Sequence, residues 1–196
     1  MNSPKSFETL GRFVHAFAKV EQIIHGSFQV ISKIPRDAAM AVKGPARVSD
    51  VIKMEKQLLR INKYPPETIS DLENCFTQFT HISEMRDRAI HRGPDESDGG
   101  NLFVSNVATM RSLAHLETVS FNIRDIKNAT ADLKRIWYRV FIGANLLLKN
   151  FSSKTPAKER ALFAPWLYKP LILKNPVQQS HKAIRIAKPQ RKSSVE

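Results

Sequence analysis

The sequence is short of the residues from which several classes of site are built. Cys75 is the single cysteine among 196 residues, which excludes an intramolecular disulfide and leaves a structural zinc site without a second thiolate. No apolar run approaches the roughly 20 residues of a membrane-spanning helix. The first residues, MNSPKSFETLGRF, lack the apolar segment of a signal peptide. We therefore expect a protein of the reducing cytoplasm with no membrane partner.

Sequence motifs for common cofactors are also missing. Neither GxxxxGK(S/T) nor GxGxxG occurs, so phosphate-loop and dinucleotide chemistry have no support. Five histidines lack metal-ligand spacing with a second histidine or acid: His15, His25, His81, His115 and His181. We expect neither a metal nor a cofactor, and we expect Cys75 to be a core residue rather than a nucleophile.

Positive charge is the main compositional excess. Lysine and arginine total 31 against 18 acidic residues, for a formal charge of +13. Residues 149–196 hold 11 of the basic residues and two of the acids, so most of the excess lies in a basic arm. Such an arm attracts polyphosphates and raises encounter rates with RNA. The alternative is a tail that only keeps the protein soluble.

Apolar residues in steps of three and four predict an all-α fold. Four helical stretches are expected, over residues 7–34, 49–62, 66–92 and 109–150. The last stretch is longer than an average helix, and a break is expected near Asn128.

Proline and glycine mark the intervening segments. Residues 35–46 contain Pro35 and Gly44-Pro45 and are predicted to be a connector. Gly93-Pro94 is a helix stop before a polar loop. The following LFVSNV, residues 102–107, favours a short strand or extended segment.

These elements predict one domain with two appendages. Residues 1–150 are expected to form an antiparallel four- to five-helix bundle. Five prolines disfavour regular structure beyond it: Pro156, Pro165, Pro170, Pro176 and Pro189. We expect residues 151–178 to pack on the bundle as an extended strap, and residues 179–196 to be a disordered basic tail.

The end of the third predicted helix concentrates polar chemistry. Arg86 falls on the apolar stripe, and Asp87 lies four residues before His91, so these two side chains can face each other. The carboxylate and the helix C-terminus both favour the charged imidazolium, and Arg88 and Arg92 add positive charge. A histidine can move a proton to or from a ribose hydroxyl or leaving oxygen, and arginine can stabilise charge on a phosphorane.

A purely structural interpretation stays open at this point. Arg86 would then form an ion pair with Glu21 or Glu84, and His91 would only interact favourably with the helix C-terminus.

The segment from Arg86 to His91 resembles the R-x(4–6)-H motif of the HEPN superfamily, in which a polar residue often follows the arginine. The layout is similar too, because a long first helix carries F-x-x-x-E from Phe17 to Glu21 and the motif ends a later helix. The resemblance covers residues 7–150. It implies an α-helical bundle, and in many members a metal-independent endoribonuclease that dimerises to form a composite cleft. Such proteins recur in toxin–antitoxin, abortive-infection and CRISPR-linked defence systems.

The resemblance implies roles for individual residues. His91 would act in acid–base catalysis, Arg86 would contact the phosphate or transition state, and Asp87 would orient the histidine. Glu21 would bind substrate. Arg88 and Arg92 are further candidate substrate-binding residues, because of the positive charge that they add to the same turn rather than because of the resemblance.

Three functions are therefore carried forward. The first is a HEPN-type endoribonuclease that works as a homodimer, as a toxin or antiphage effector. The second is a non-catalytic helical module that binds RNA or a partner protein, such as a nucleotidyltransferase-type antitoxin. The third is a helical scaffold with a solubilising tail.

Overall fold

The computed structural model describes residues 4–91, 95–96, 102–105, 118–145 and 161–170. Within these ranges the prediction of an all-α helical bundle is confirmed. The helices are α1 (Pro4–Ser32), α2 (Arg36–Lys43), α3 (Val48–Ile61), α4 (Pro66–His91) and α5 (Ile123–Ala144). The short strands β1 (Asp95–Glu96), β2 (Leu102–Ser105) and β3 (Thr118–Phe121) lie between α4 and α5. No helix in the described ranges is long and apolar enough to cross a membrane.

Helix α1 forms where the first apolar stripe was predicted, and its stripe is the centre of the core. The buried side chains recur at helical spacing: Phe13, Phe17, Val20, Ile24, Phe28 and Ile31. The helix ends at Ser32 because Lys33 adopts a left-handed φ of 57° and Pro35 cannot donate a helical hydrogen bond. Phe17 stacks on Phe79 of α4 with ring centroids 4.9 Å apart, which joins the two helices through aromatic packing.

Helices α4 and α5 run antiparallel and are joined by polar contacts as well as apolar ones. Asp71 near the start of α4 forms an ion pair with Arg139 near the end of α5. Two turns later on α4, the amide of Gln78 donates to Asp132 Oδ2 at 3.2 Å. Both carboxylates are buried or nearly so, and these bonds fix the register of the two helices.

The predicted connector at residues 35–46 is wrong in part, because it contains α2. Pro35 stands before the first helical turn, where a missing N–H costs nothing, and Asp37 in that turn favours the helix dipole. Gly44 ends the helix with a φ of 49°. Ala39 is buried, so this short helix packs on the domain through a small residue.

The predicted helix over residues 109–150 is also wrong at its start. Residues 118–121 form β3, which pairs antiparallel with β2 in the register Leu102↔Phe121 to Ser105↔Thr118. Helix α5 starts only at Ile123, where the Asn122 side chain accepts from Arg124 N at 2.6 Å as an N-cap. It continues through Asn128 without the expected break. The predicted short strand in residues 102–107 is confirmed over β2.

Residues 161–170 lie across α4 and α5. The backbone N–H groups of Leu167 and Tyr168 donate to the Asp132 carboxylate at 3.1 and 2.8 Å, and the Trp166 indole donates to Asn74 Oδ1 at 3.0 Å. The Tyr168 ring is buried. Residues 151–160 and 171–178 of the predicted strap, and the whole predicted tail at 179–196, lie outside the described residues.

Two helical glycines lead to opposite stability predictions. A Cβ built on Gly143 would lie 3.0 Å from Leu72 Cδ2, whereas one on Gly26 would meet nothing within 4 Å. We expect Gly143→Ala to lower the free energy of unfolding by about 1–3 kcal/mol through overpacking. Gly26→Ala should raise it by about 0.5–1 kcal/mol, since alanine favours the helix. Urea denaturation of both variants measures the difference, and equal signs would contradict the packing at Gly143.

Candidate functional site

Arg86 lies near the end of α4 with its guanidinium group turned onto α1. The guanidinium carbon is 5.2 Å from the centre of the Phe17 ring, which is cation–π distance. Nη1 donates to Asp87 Oδ1 at 2.8 Å, and 30% of the side chain is exposed. Nε is buried and has no hydrogen-bond partner among the described residues. The cation is therefore positioned from two sides but remains open to solvent.

Glu21 approaches this pair from α1, one turn beyond Phe17. Burial raises the pKa of the Glu21 carboxyl above its ordinary value; Arg86 opposes the rise and Asp87 adds to it. Both effects require the two α4 side chains to be close enough to Glu21 to act on its charge. The structure thus brings three of the predicted site residues, Glu21, Arg86 and Asp87, together at one α1–α4 contact.

The remaining predicted site residues lie at the edge of this cluster or beyond the described part. Arg88 is half-buried on α4, and its positive charge acts on Tyr168 in the segment 161–170. His91 is the last residue of α4, and its side chain is outside the described residues, as is Arg92. The roles predicted for these residues stay predictions.

The ion pair of Arg86 differs from both structural alternatives considered from the sequence. Its partner is Asp87, the next residue along α4, instead of Glu21 or Glu84. Asp87 is 58% exposed, so its second oxygen can still accept a hydrogen bond. A fixed cation beside two carboxyl groups, one of them with a raised pKa, can bind a phosphate and exchange protons with it.

A basic groove between α1 and α5 was not anticipated from the sequence. We define it by Arg12 and Lys19 of α1, Lys127 and Lys134 of α5, and the adjacent aromatic pair Trp137–Tyr138. The spacing carried a signal, because a basic residue recurs after seven positions on both helices, on the side away from the apolar stripe. Only the pairing of α1 with α5 combines the two rows.

The described ranges offer no alternative centre for metal or thiol chemistry. No group of three or more histidine, cysteine or acidic side chains in them could hold a metal ion. Cys75 is buried in the core, as predicted, and burial raises the pKa of its thiol above the usual value, which opposes formation of a thiolate nucleophile.

Comparison of the chain with protein-family models, with curated proteins and with solved structures finds no match, so a functional assignment rests on the geometry of the site and on the sequence motif.

Proposed function

We propose that this protein is a metal-independent endoribonuclease of the HEPN type that acts as a homodimer. The observation that supports this best is the position of Arg86. Its guanidinium is held by Phe17 and Asp87 and faces Glu21, five residues before the histidine that ends the helix. Fixed cations at the point where charge develops are the largest contribution to catalysis in many enzymes.

The reaction needs a base and an acid on opposite sides of the phosphate. His91 takes the proton from a ribose 2′-hydroxyl, and that oxygen attacks the adjacent phosphorus. The bond to the 5′-oxygen breaks, which leaves a 2′,3′-cyclic phosphate, and the departing oxygen receives a proton from a second acid. Arg86 stabilises the extra negative charge on the phosphorane. One chain supplies one such histidine, so a second copy would supply the other in a two-fold composite site.

Removing His91 should abolish cleavage while the fold survives. We expect His91→Ala and Arg86→Ala to lower the cleavage rate by about 10²–10⁴-fold, because each removes a group used in the transition state. His81→Ala, ten residues earlier on α4, is the matched control and should cleave at the wild-type rate. The measurement is cleavage of single-stranded RNA in EDTA, with end analysis for cyclic phosphate and thermal unfolding to confirm folding.

Two results would rule the mechanism out. Cleavage that persists in His91→Ala would show that another group moves the proton. Cleavage that needs a divalent metal would replace the acid–base mechanism with metal-ion catalysis.

A second function is favoured by a specific contact. The Arg86 guanidinium already has an intramolecular ion pair and an aromatic ring beneath it, as an arginine with a structural role would. The protein would then be a non-catalytic module that binds RNA or a partner such as a nucleotidyltransferase-type antitoxin. Intact RNA with every variant, together with a salt-sensitive gel shift, would select this function.

A further inference from the structure

The basic groove has the composition of a nucleic-acid-binding surface. Two adjoining cavities of about 650 and 360 Å³ form it, and they share Arg12, Thr130 and Lys134. Their lining contains four lysine and arginine side chains, one histidine (His15) and one carboxylate (Glu8). Glu8 forms an exposed ion pair with Arg12 at 2.6 Å, which weakens but does not remove the contribution of that arginine.

The other cations are available for a ligand. Lys19, Lys127 and Lys134 are exposed, and within the described ranges none of them forms an ion pair with a carboxylate. Arg12 and Lys19 are two helical turns apart, about 10 Å along α1, and Lys127 and Lys134 have the same separation on α5. Cations about 10 Å apart cannot all contact one phosphate ion, so these two rows of positive charge suit a polyanion that carries several charges.

Aromatic side chains line one end of the groove. The Tyr138 ring is 55% exposed and meets Trp137 edge-on with centroids 5.1 Å apart. Trp137 in turn stacks on Phe141 at 5.7 Å and 7°, which holds the platform rigid. A large exposed ring beside lysines is costly in water and is suited to stacking with a base.

The groove is separate from the Arg86 cluster. Lys19 and Glu21 are two positions apart on α1, so they project about 160° apart around the helix axis. The two features therefore lie on different sides of α1 and can be altered independently.

We propose that the basic groove binds single-stranded RNA, with Lys19 and Lys134 contacting phosphates and Tyr138 stacking on a base. This rests on the proposed function for the identity of the ligand as substrate RNA. The groove supplies affinity and the Arg86 cluster supplies the chemistry. Duplex RNA fits less well, because paired bases cannot stack on Tyr138, and recognition through stacking and phosphates tolerates many sequences.

The test measures binding separately from cleavage. The probe is a fluorescein-labelled, single-stranded RNA of about 12 nucleotides, with 2′-O-methyl groups that block attack by the 2′-oxygen, and the readout is fluorescence anisotropy. Lys19→Gln/Lys134→Gln removes two phosphate contacts. We expect about 25-fold weaker binding at 0.1 M salt and a decrease of about 1.4 in the slope of log affinity against log salt concentration.

The aromatic contribution has its own pair of variants. Tyr138→Ala should weaken binding by about five-fold or more, whereas Tyr138→Phe keeps the ring and should bind as the wild type does. Arg36→Gln/Arg47→Gln is the matched charge control, since both arginines are exposed and lie outside the groove. It should keep the wild-type affinity to within about two-fold and the wild-type salt slope.

The outcomes separate this inference from the proposed function. Groove variants with wild-type affinity would overturn the inference even if His91→Ala abolishes cleavage. Loss of binding in the groove variants would support it even if no protein cleaves RNA, and would then select the non-catalytic module. Tighter binding of duplex RNA or of single-stranded DNA, or displacement of the probe by polyglutamate at equal charge concentration, would also overturn it.

Discussion

Asp132→Ala is expected to lower the free energy of unfolding by about 3–5 kcal/mol, which is large for a single substitution. Asp132 is fully buried on α5 and accepts from the backbone N–H of Leu167 and of Tyr168 and from the amide of Gln78. Alanine would leave the buried Tyr168 N–H without this acceptor and would remove one acceptor from the Gln78 amide and from the part-buried Leu167 N–H, and a buried donor left unpaired costs about 1–3 kcal/mol.

The expected consequence begins in the segment 161–170. Among the described residues, three hydrogen bonds would still hold this segment without Asp132: the Gln78 amide to Tyr168 O at 3.0 Å, the Trp166 indole to Asn74, and Arg135 to Pro165 O at 3.1 Å. The Arg139 guanidinium also lies over the Trp166 ring. Tyr168 would then leave the core more readily. In a Trp137→Phe background, which leaves Trp166 as the one tryptophan, fluorescence should report release of the segment at a lower urea concentration than helix melting followed by circular dichroism.

Two controls make this measurement specific. Asp50→Ala removes an exposed carboxylate that pairs with Lys53, and it should cost less than about 1 kcal/mol. Asp132→Asn keeps one carbonyl acceptor, so its free energy of unfolding should lie between those of the two alanine variants. If Asp132→Ala lowers the free energy of unfolding no more than Asp50→Ala does, the buried carboxylate does not anchor residues 161–170.

The helices that were predicted well are those defined by local signals. Helix α4 starts at Pro66, where proline is favoured in a first turn, and ends within a residue of the predicted boundary before Gly93-Pro94. Helix α1 has an uninterrupted stripe of six buried residues. In both cases periodicity and helix-breaking residues within the segment itself carry the information.

The elements that were missed depend on partners distant in sequence. Strand β3 has the sequence TVSF, which fits a helical stripe as well as a strand until β2 is available to pair with it. Helix α2 spans eight residues and buries only Ala39, too little to stand out between a proline and a glycine. Tertiary contacts decide both structures.

The candidate site also combines features that local sequence predicts with features that depend on tertiary contacts. The motif from Arg86 to His91 was visible in the sequence, and so was the approach of Glu21 as one of two alternatives. Sequence spacing favoured Asp87 facing His91, and this stays a prediction because the His91 side chain lies outside the described residues. The structure adds an ion pair between Asp87 and Arg86 that the spacing did not predict. The basic groove needed the packing of α1 on α5 and could not be read from either helix alone.

Two buried acids did leave a sequence signal. Asp132 follows Ala129 by three residues and Glu55 follows Val51 by four, so each lies on an apolar stripe of its helix. A carboxylate at such a position is rare unless it is paired or neutral. Asp132 is the paired case, since hydrogen-bond donors surround its carboxylate. Glu55 has a single donor, Ser27, and is the neutral case.

Glu55 is expected to make the protein less stable as the pH rises from 5 to 8. Its side chain is fully buried on α3, Ser27 Oγ donates to Oε1 at 2.8 Å, and Oε2 has no partner among the described residues. Burial raises the pKa of the nearby Tyr64 phenol, and the charge of Glu55 adds to that rise. Burial raises the pKa of Glu55 from 4.5 to about 8, and the Ser27 hydrogen bond partly opposes this rise.

The sign follows from proton binding. Between pH 4.5 and about 8 the folded protein keeps the proton on Glu55 whereas the unfolded chain has lost it, so the folded state binds more protons and stability falls with increasing pH. The slope is about 1.4 kcal/mol per pH unit, which makes the loss at pH 7 roughly 3 kcal/mol relative to pH 4. Above pH 8 both states are ionised and the loss levels off.

Glu55→Gln isolates this contribution, because glutamine has nearly the same shape and stays neutral at every pH. We expect the variant and the wild type to have similar stability at pH 4, and the variant to be more stable by roughly 3 kcal/mol at pH 7. Urea denaturation at pH 4, 5.5, 7 and 8 measures the difference, and all other titrating groups cancel between the two proteins. Ser27→Ala is the control: it should cost about 1 kcal/mol for the lost hydrogen bond and show the wild-type slope between pH 5 and 7. Because that bond lowers the pKa of Glu55, the decline in Ser27→Ala should continue to a higher pH than in the wild type. A difference between Glu55→Gln and wild type that is the same at pH 4 and pH 7 would mean that Glu55 ionises in the folded protein as it does in the unfolded chain, and that water or a cation reaches Oε2.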